Sequence, residues 1–489
     1  MIQPDYSKFF AESVKAAELK TTAETMIAEG EEVKKALSVS AKAFIAGKET
    51  VGDTTEIKAK VSFTFIYLAE EGYKKAEAVT DVSAVLPLND PIITVSVDDV
   101  RALPVVGGYS ARCSVLFSGV GLEKTEADAL VGGDGITVKQ ASFELDSHVG
   151  ACRDDYVIDD EFEVNFPVAD VLSHTEEAYL TSVTSAVAAI VFEGEVAICF
   201  ALTPFSENRD IVREKRVIPF RYEAECRGAL PGGFARGGVE IKKVAVKVIA
   251  DEGSGKSAIS TEITLGFCGE AIERTEIALA DDAFKNEAFL ELEKKEINAD
   301  KISGFYCHNK RISGVAQAEL PSGGRLVAAV GERLGGVTVA SDGDMLTVGG
   351  TLEADVIFRN SDNGTSVVKA ETPFTLDIET GGKVDGVNVI LTDFSAKMRG
   401  ENVELEGNIR ICYDLYEENK IRYIAEVTEG EARPVNDSAI SVYVPSAGDG
   451  LWEVSKNLGV DGDEIMKYNK DITFPLTGNE RILIYRRKV

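Results

Sequence analysis

The chain has 489 residues, 82 acidic and 52 basic, giving a net charge of −30. Nucleic-acid binding needs a compensating basic surface, so this polyanion excludes a phosphate backbone as the expected partner and disfavours anionic membranes. No run reaches the roughly 18 apolar residues of a membrane helix, so membrane insertion is not expected, and the length suits three or four ordinary domains.

The N-terminus, MIQPDYSKFFAESVKAAELK, lacks the basic start and apolar core of a secretory signal, so the chain is expected to remain cytoplasmic. Its Ala, Glu and Lys content, with Val14, Ala17, Leu19 and Ala23 recurring loosely, predicts an amphipathic helix over roughly the first thirty residues. From Leu37 the texture changes to alternation: LSVSAKAFI, EIKAKVSFTFIYL and EAVTDVSAVLPL, punctuated by Gly47, Gly52 and Glu71-Gly72. Alternating apolar and polar residues rich in Val, Thr, Phe and Tyr form half-buried strands.

This texture then recurs. EIKAKVSFTFIYL, EGEVAICFALT and TLEADVIFRN align with Phe65, Phe200 and Phe358 in register. Asp154-Asp155 and Asp281-Asp282 read as the openings of successive linkers, and the strands from Gly238 and from Gly386 read as closing the second and third repeats. The period is too long for a solenoid, so it implies duplicated whole β domains. The expected fold is mainly β: three tandem β-rich domains at 1–152, 153–280 and 281–440, then a small βααβ domain at 441–489.

Signals for catalysis are weak. Ala250 to Ser257, ADEGSGKS, satisfies the loose phosphate-loop pattern, but that loop needs a helix after it, and SAISTEITLGF alternates like a strand. A hairpin tip is the expectation. His148, His174 and His308 lie in unrelated segments with no nucleophile elbow. Cys113, Cys152, Cys199, Cys226, Cys268, Cys307 and Cys412 form no CxxC pair and read as reduced, buried thiols. Asp159-Asp160-Glu161 and the other acidic clusters lack a calcium-loop pattern. No catalytic residue, cofactor or metal is expected, and the chain reads as a non-enzyme.

The charge is uneven: Ser441 to Val489 holds seven basic and seven acidic residues, ending in Arg486-Arg487-Lys488. Leu451, Val454, Ser455 and Leu458 share one helical face, and Asp463 can cap a second helix carrying Ile465. β-rich runs at Ser441 to Val444 and Arg481 to Tyr485 bracket both. Gly448-Asp449, Leu451-Trp452, Leu458-Gly459-Val460, Asn469, Ile472, Pro475-Leu476, Gly478 and Ile484 stand at spacings that resemble the LysM domain, a glycan-binding module of cell walls. Gly450, where the family usually has Thr, Lys470, where Pro is common, and Tyr485 depart from the pattern.

Three such β blocks with that ending resemble the SPOCS-domain proteins, which include a spore-envelope morphogenetic factor, over nearly the whole chain. The resemblance implies a non-enzymatic scaffold made in the mother cell and working at the forespore surface. Its LysM domain would recruit a spore-coat morphogenetic protein, with the coat ATPase as the family's partner. The groove implied is Asp449, Gly450, Leu451, Trp452, Asn469, Lys470 and Ile472, with Trp452 as an anchor or as part of the small core. The alternative is a binder of peptidoglycan or other N-acetylglucosamine glycan, which would normally carry an export signal and several LysM copies.

Overall fold

A computed structural model describes residues 2–205, 210–251, 255–316, 324–362, 364–434 and 438–485. Nearly all of it is antiparallel strand. The first unit comprises β1 (Gln3–Ile27), β2 (Lys35–Val51), β3 (Thr54–Ala69), β4 (Gly72–Leu86), β5 (Ile92–Val105) and β6 (Gly108–Asp134), in sheets ordered β1-β6-β5 and β2-β3-β4. The second comprises β7 (Thr137–Val164), β8 (Val168–Ala186), β9 (Ala189–Pro204), β10 (Val212–Glu225), β11 (Phe234–Asp251) and β12 (Lys256–Phe284). Its sheets, β7-β12-β11 and β8-β9-β10, repeat the scheme.

The third unit follows the same plan with its two longest strands broken. β13 (Ala288–Asn298) and β14 (Lys301–Val315) succeed each other where β1 and β7 run unbroken. β15 (Arg325–Asp342), β16 (Met345–Arg359) and β17 (Thr365–Glu379) form one sheet, and β18 (Lys383–Arg399) and β19 (Asn402–Glu417) join β14 in another. β20 (Lys420–Ala432) pairs with β13.

Each unit buries one core between its two three-stranded sheets. In the second, Phe192, Ile198 and Phe200 of β9 meet Ile259, Leu265 and Phe267 of β12. Phe65 of β3 and Phe358 of β16 occupy the corresponding middle strands, and all three phenylalanines are buried. The recurrence read from these phenylalanines therefore marks equivalent strands.

Other expectations fail. The N-terminal helix is β1, a strand paired along its whole length with β6. Phe9 and Ala11 point into a core and Ala23 into another, so small side chains that favour helix in isolation here allow close approach of strands. Asp154-Asp155 is no linker: it lies inside β7, which runs unbroken from Thr137 to Val164 and through residue 152. The strands from Gly238 and Gly386 belong to β11 and β18, each followed by one further paired strand or strand pair. β11 and β12 form a hairpin, with Asp251 facing Lys256 and no helix following the ADEGSGKS segment, whose residues 252–254 lie outside those described.

The long strands serve two purposes. Their inner halves join the three-stranded sheets, while β1 with β6, β7 with β12, and β13 with β20 extend beyond as two-stranded ribbons. A two-stranded ribbon is marginal alone. Here the three bury one another, with Phe9, Ala129, Leu145, Leu279, Ile421 and Tyr423 in one shared cluster.

Where ribbons meet sheets, buried carboxylates link the units in a cycle. Glu12 accepts a hydrogen bond from the His148 amide at 2.9 Å, Asp146 from the Ile302 amide at 2.7 Å, and Asp300 from the Val14 amide at 3.0 Å. Each acid stands two residues before the amide that the preceding unit caps. Arg274 also binds Asp146 through two nitrogens, at 2.7 and 2.9 Å, so this buried charge is matched.

Candidate functional site: the C-terminal elements

The last elements are β21 (Ile440–Tyr443), α1 (Leu451–Leu458), α2 (Gly462–Tyr468) and β22 (Ile482–Tyr485), with β21 and β22 paired antiparallel. Val454, Val460, Ile465, Leu476, Ile482 and Ile484 form their core, with Leu451, Leu458 and Ile472 packed against it. The helical face read from Leu451, Val454, Ser455 and Leu458 is thus the inward face. Asp461, two residues before Asp463, is the cap of α2, its carboxylate accepting from the Asp463 amide at 3.2 Å. Tyr468 is exposed, and Asn469 beside it is buried like Ile465.

The groove residues take different positions. Asp449 accepts from the Ser446 amide at 2.8 Å, and its carbonyl accepts from the Leu476 amide at 2.8 Å, while Gly448 donates to the Leu476 carbonyl at 2.7 Å. These bonds pin the loop before α1 to the loop before β22. Gly450 caps α1 without a side chain, and the Glu453 carboxylate occupies the space where a Cβ would lie. Asn469 is buried: its amide nitrogen donates to the carbonyls of Ile465 and Leu483 at 2.7 and 2.8 Å, and its oxygen accepts from the Leu483 amide at 2.8 Å. It fastens α2 to β22. Lys470 is exposed, and Leu451 and Ile472 are half-buried.

Trp452 turns toward the body. Its indole N–H donates to Asp282 at 2.8 Å, Lys456 binds the same carboxylate at 2.6 and 2.8 Å, and the Phe284 ring meets the indole edge-on at 5.2 Å. Burial alone would push the Asp282 carboxyl up, but the Lys456 and Trp452 donors hold it below the usual carboxylate range. Arg433, ahead of β21, reinforces the contact by donating to the carbonyls of Lys285 and Asn457. Nothing in the sequence singles out Asp282 as this anchor, because its partners lie some 170 residues away.

A second surface also went unread. Ile440 faces Tyr485 and Val442 faces Leu483 across the β21–β22 pair, and all four side chains are exposed. Tyr468 extends this patch, its ring 4.5 Å from that of Tyr485. The signal was available: in ISVYV and ILIY, apolar residues occupy both alternating sets, so a two-stranded sheet made from them has two apolar faces. Arg486-Arg487-Lys488 lie outside the described residues.

Among the described residues no helix is long and apolar enough to cross a membrane. The histidines stay apart: His174 bonds Glu176 at 2.8 Å, His308 bonds the Tyr413 hydroxyl at 3.0 Å, and the His148 amide belongs to the carboxylate cycle. Comparison with protein-family models, with curated proteins and with solved structures finds no match.

Proposed function

We propose that this chain is a non-enzymatic scaffold of spore-envelope assembly, made in the mother-cell cytoplasm and acting at the forespore surface. In this reading the three strand units are tandem SPOCS-type domains. The C-terminal elements are a LysM-type domain that recruits a coat morphogenetic protein, the coat ATPase being the partner that the resemblance implies.

The supporting observation is the outward face of β21 and β22. Ile440, Val442, Leu483 and Tyr485 present exposed apolar side chains with no charge among them. Such a face suits the apolar, aromatic-rich centre of a protein interface. Trp452, the aromatic side chain of the implied glycan groove, is meanwhile committed to Asp282 and Phe284.

The test is a full-length variant carrying Val442→Asp and Leu483→Asp. Calorimetric binding to the purified coat ATPase should be lost, and a fluorescent fusion should leave the forespore surface, while the thermal transition of the body stays in place. Unchanged ATPase binding by the variant, or tight binding of N-acetylglucosamine oligomers by the wild type, would replace this reading with the wall-glycan one.

A further inference from the structure

The three units enclose a cavity of about 310 Å³, and each contributes to its wall. Ala16 and Val120 come from the first unit, Leu180 and Val239 from the second, Phe305 and Val387 from the third. Ala16, Glu18 and Val339 are exposed, so the space opens to solvent. Its polar lining is lopsided: Glu18, Asp385 and Asp414 contribute carboxyls, and no Lys or Arg is among the lining residues.

The repeat makes Asp385 and Asp414 informative. Val14, His148 and Ile302, the amides capped in the carboxylate cycle, pair with Leu122, Ile272 and Tyr416. Two residues before these partners stand Val120, Glu270 and Asp414, which face Ile92, Arg236 and Asp385 across the next strand. One position in the common plan therefore holds an apolar pair, an ion pair and a pair of acids. Like charges directly opposite destabilise a sheet, so stability favours the first two solutions and opposes the third.

Asp414 is only 8% exposed, and its Oδ1 has no hydrogen-bond partner. A buried carboxyl oxygen without a partner is costly, and a native protein keeps one for a reason such as strain, a catalytic role, or a bound water or ion. Asp385 spends part of its own charge on the Gly386 amide at 2.8 Å. Burial pushes the Asp414 carboxyl up to about 7, the Arg236 charge opposing this and Asp385 adding to it.

We propose that this cavity binds a small amphiphilic amine, its apolar body between the three units and its ammonium group donating to Asp414. A cavity of about 150 Å³ holds benzene, so this one suits a ligand of roughly a dozen non-hydrogen atoms. The ammonium would donate to the Asp414 carboxyl from the cavity side and relieve the repulsion between the two acids. A carboxylate ligand of the same shape would meet three acids and be rejected.

Calorimetry of the full chain with phenethylamine tests this, with hydrocinnamate as the anionic control. Asp414→Asn removes the charge, and Ala16→Phe fills the cavity from its exposed rim without touching Asp414. The wild type should bind one equivalent of phenethylamine and not hydrocinnamate. Both variants should bind about tenfold more weakly or not at all, with thermal transitions showing that they are folded. Absence of phenethylamine binding to the wild type, equal binding of hydrocinnamate, or wild-type affinity in a folded variant would each overturn the proposal.

Discussion

Asp414 shows how one side chain can set a protein's response to pH. Burial disfavours the charge and pushes its carboxyl in the folded chain up to about 7 from an ordinary 3.8. Below about pH 4 the group is protonated in both folded and unfolded chains and contributes no difference. As pH rises toward 7 the unfolded chain ionises first, so native stability falls, and above that the penalty is complete. Asp414→Asn should therefore raise stability at about pH 8 by ~1–3 kcal/mol, the gap closing toward about pH 4. Thermal melts of both proteins across that range, without added ligand, check the sign; a gap that widens on acidification would refute it. Neither this role nor that of Asp282 was legible beforehand, since a carboxylate's burial depends on partners distant in sequence. Asn469 stands in the implied groove set, and its side-chain hydrogen bonds fasten α2 to β22.

Among the elements, strands built on alternation were legible and the first one was not. EIKAKVSFTFIYL and its counterparts carry β-branched and aromatic residues whose period matches the sheet they form, so local and global preferences agree. β1 is rich in Ala, Glu and Lys, which prefer helix in isolation; pairing with β6 over 25 residues overrides that preference. The two C-terminal helices were legible from spacing, but the cap of α2 falls on Asp461 and not on Asp463, and the docking of α1 on the body was not legible. That docking gives a direct test, because Trp452 is the only tryptophan. Asp282→Ala removes the acceptor shared by Trp452 and Lys456 and should weaken the contact by ~1–2 kcal/mol. Tryptophan emission should shift to longer wavelength and follow a denaturation curve that precedes loss of the strand signal. Emission identical to the wild type would show that Asp282 does not hold α1.

For the molecule as a whole, the carboxylate cycle makes the three units interdependent although each has its own core. Asp146 receives the Ile302 amide and both nitrogens of Arg274, and its removal leaves a partly buried guanidinium without its matched acid. Asp146→Ala should cost about 3 kcal/mol or more and separate the calorimetric unfolding of the units. A single transition at the wild-type temperature would refute that coupling. The direction of the contacts has a further meaning: first to second, second to third, third back to first, always through the same pair of positions. This is the head-to-tail geometry of a cyclic homotrimer, written here into one polypeptide. Such a ring has a fixed membership. A chain with two of these units would leave one acid and one amide unanswered, and one with four would have to change the rotation between neighbours before it could close. The number of units is therefore fixed by the closure of the ring, whereas residues away from the shared acid and amide positions are free of that constraint.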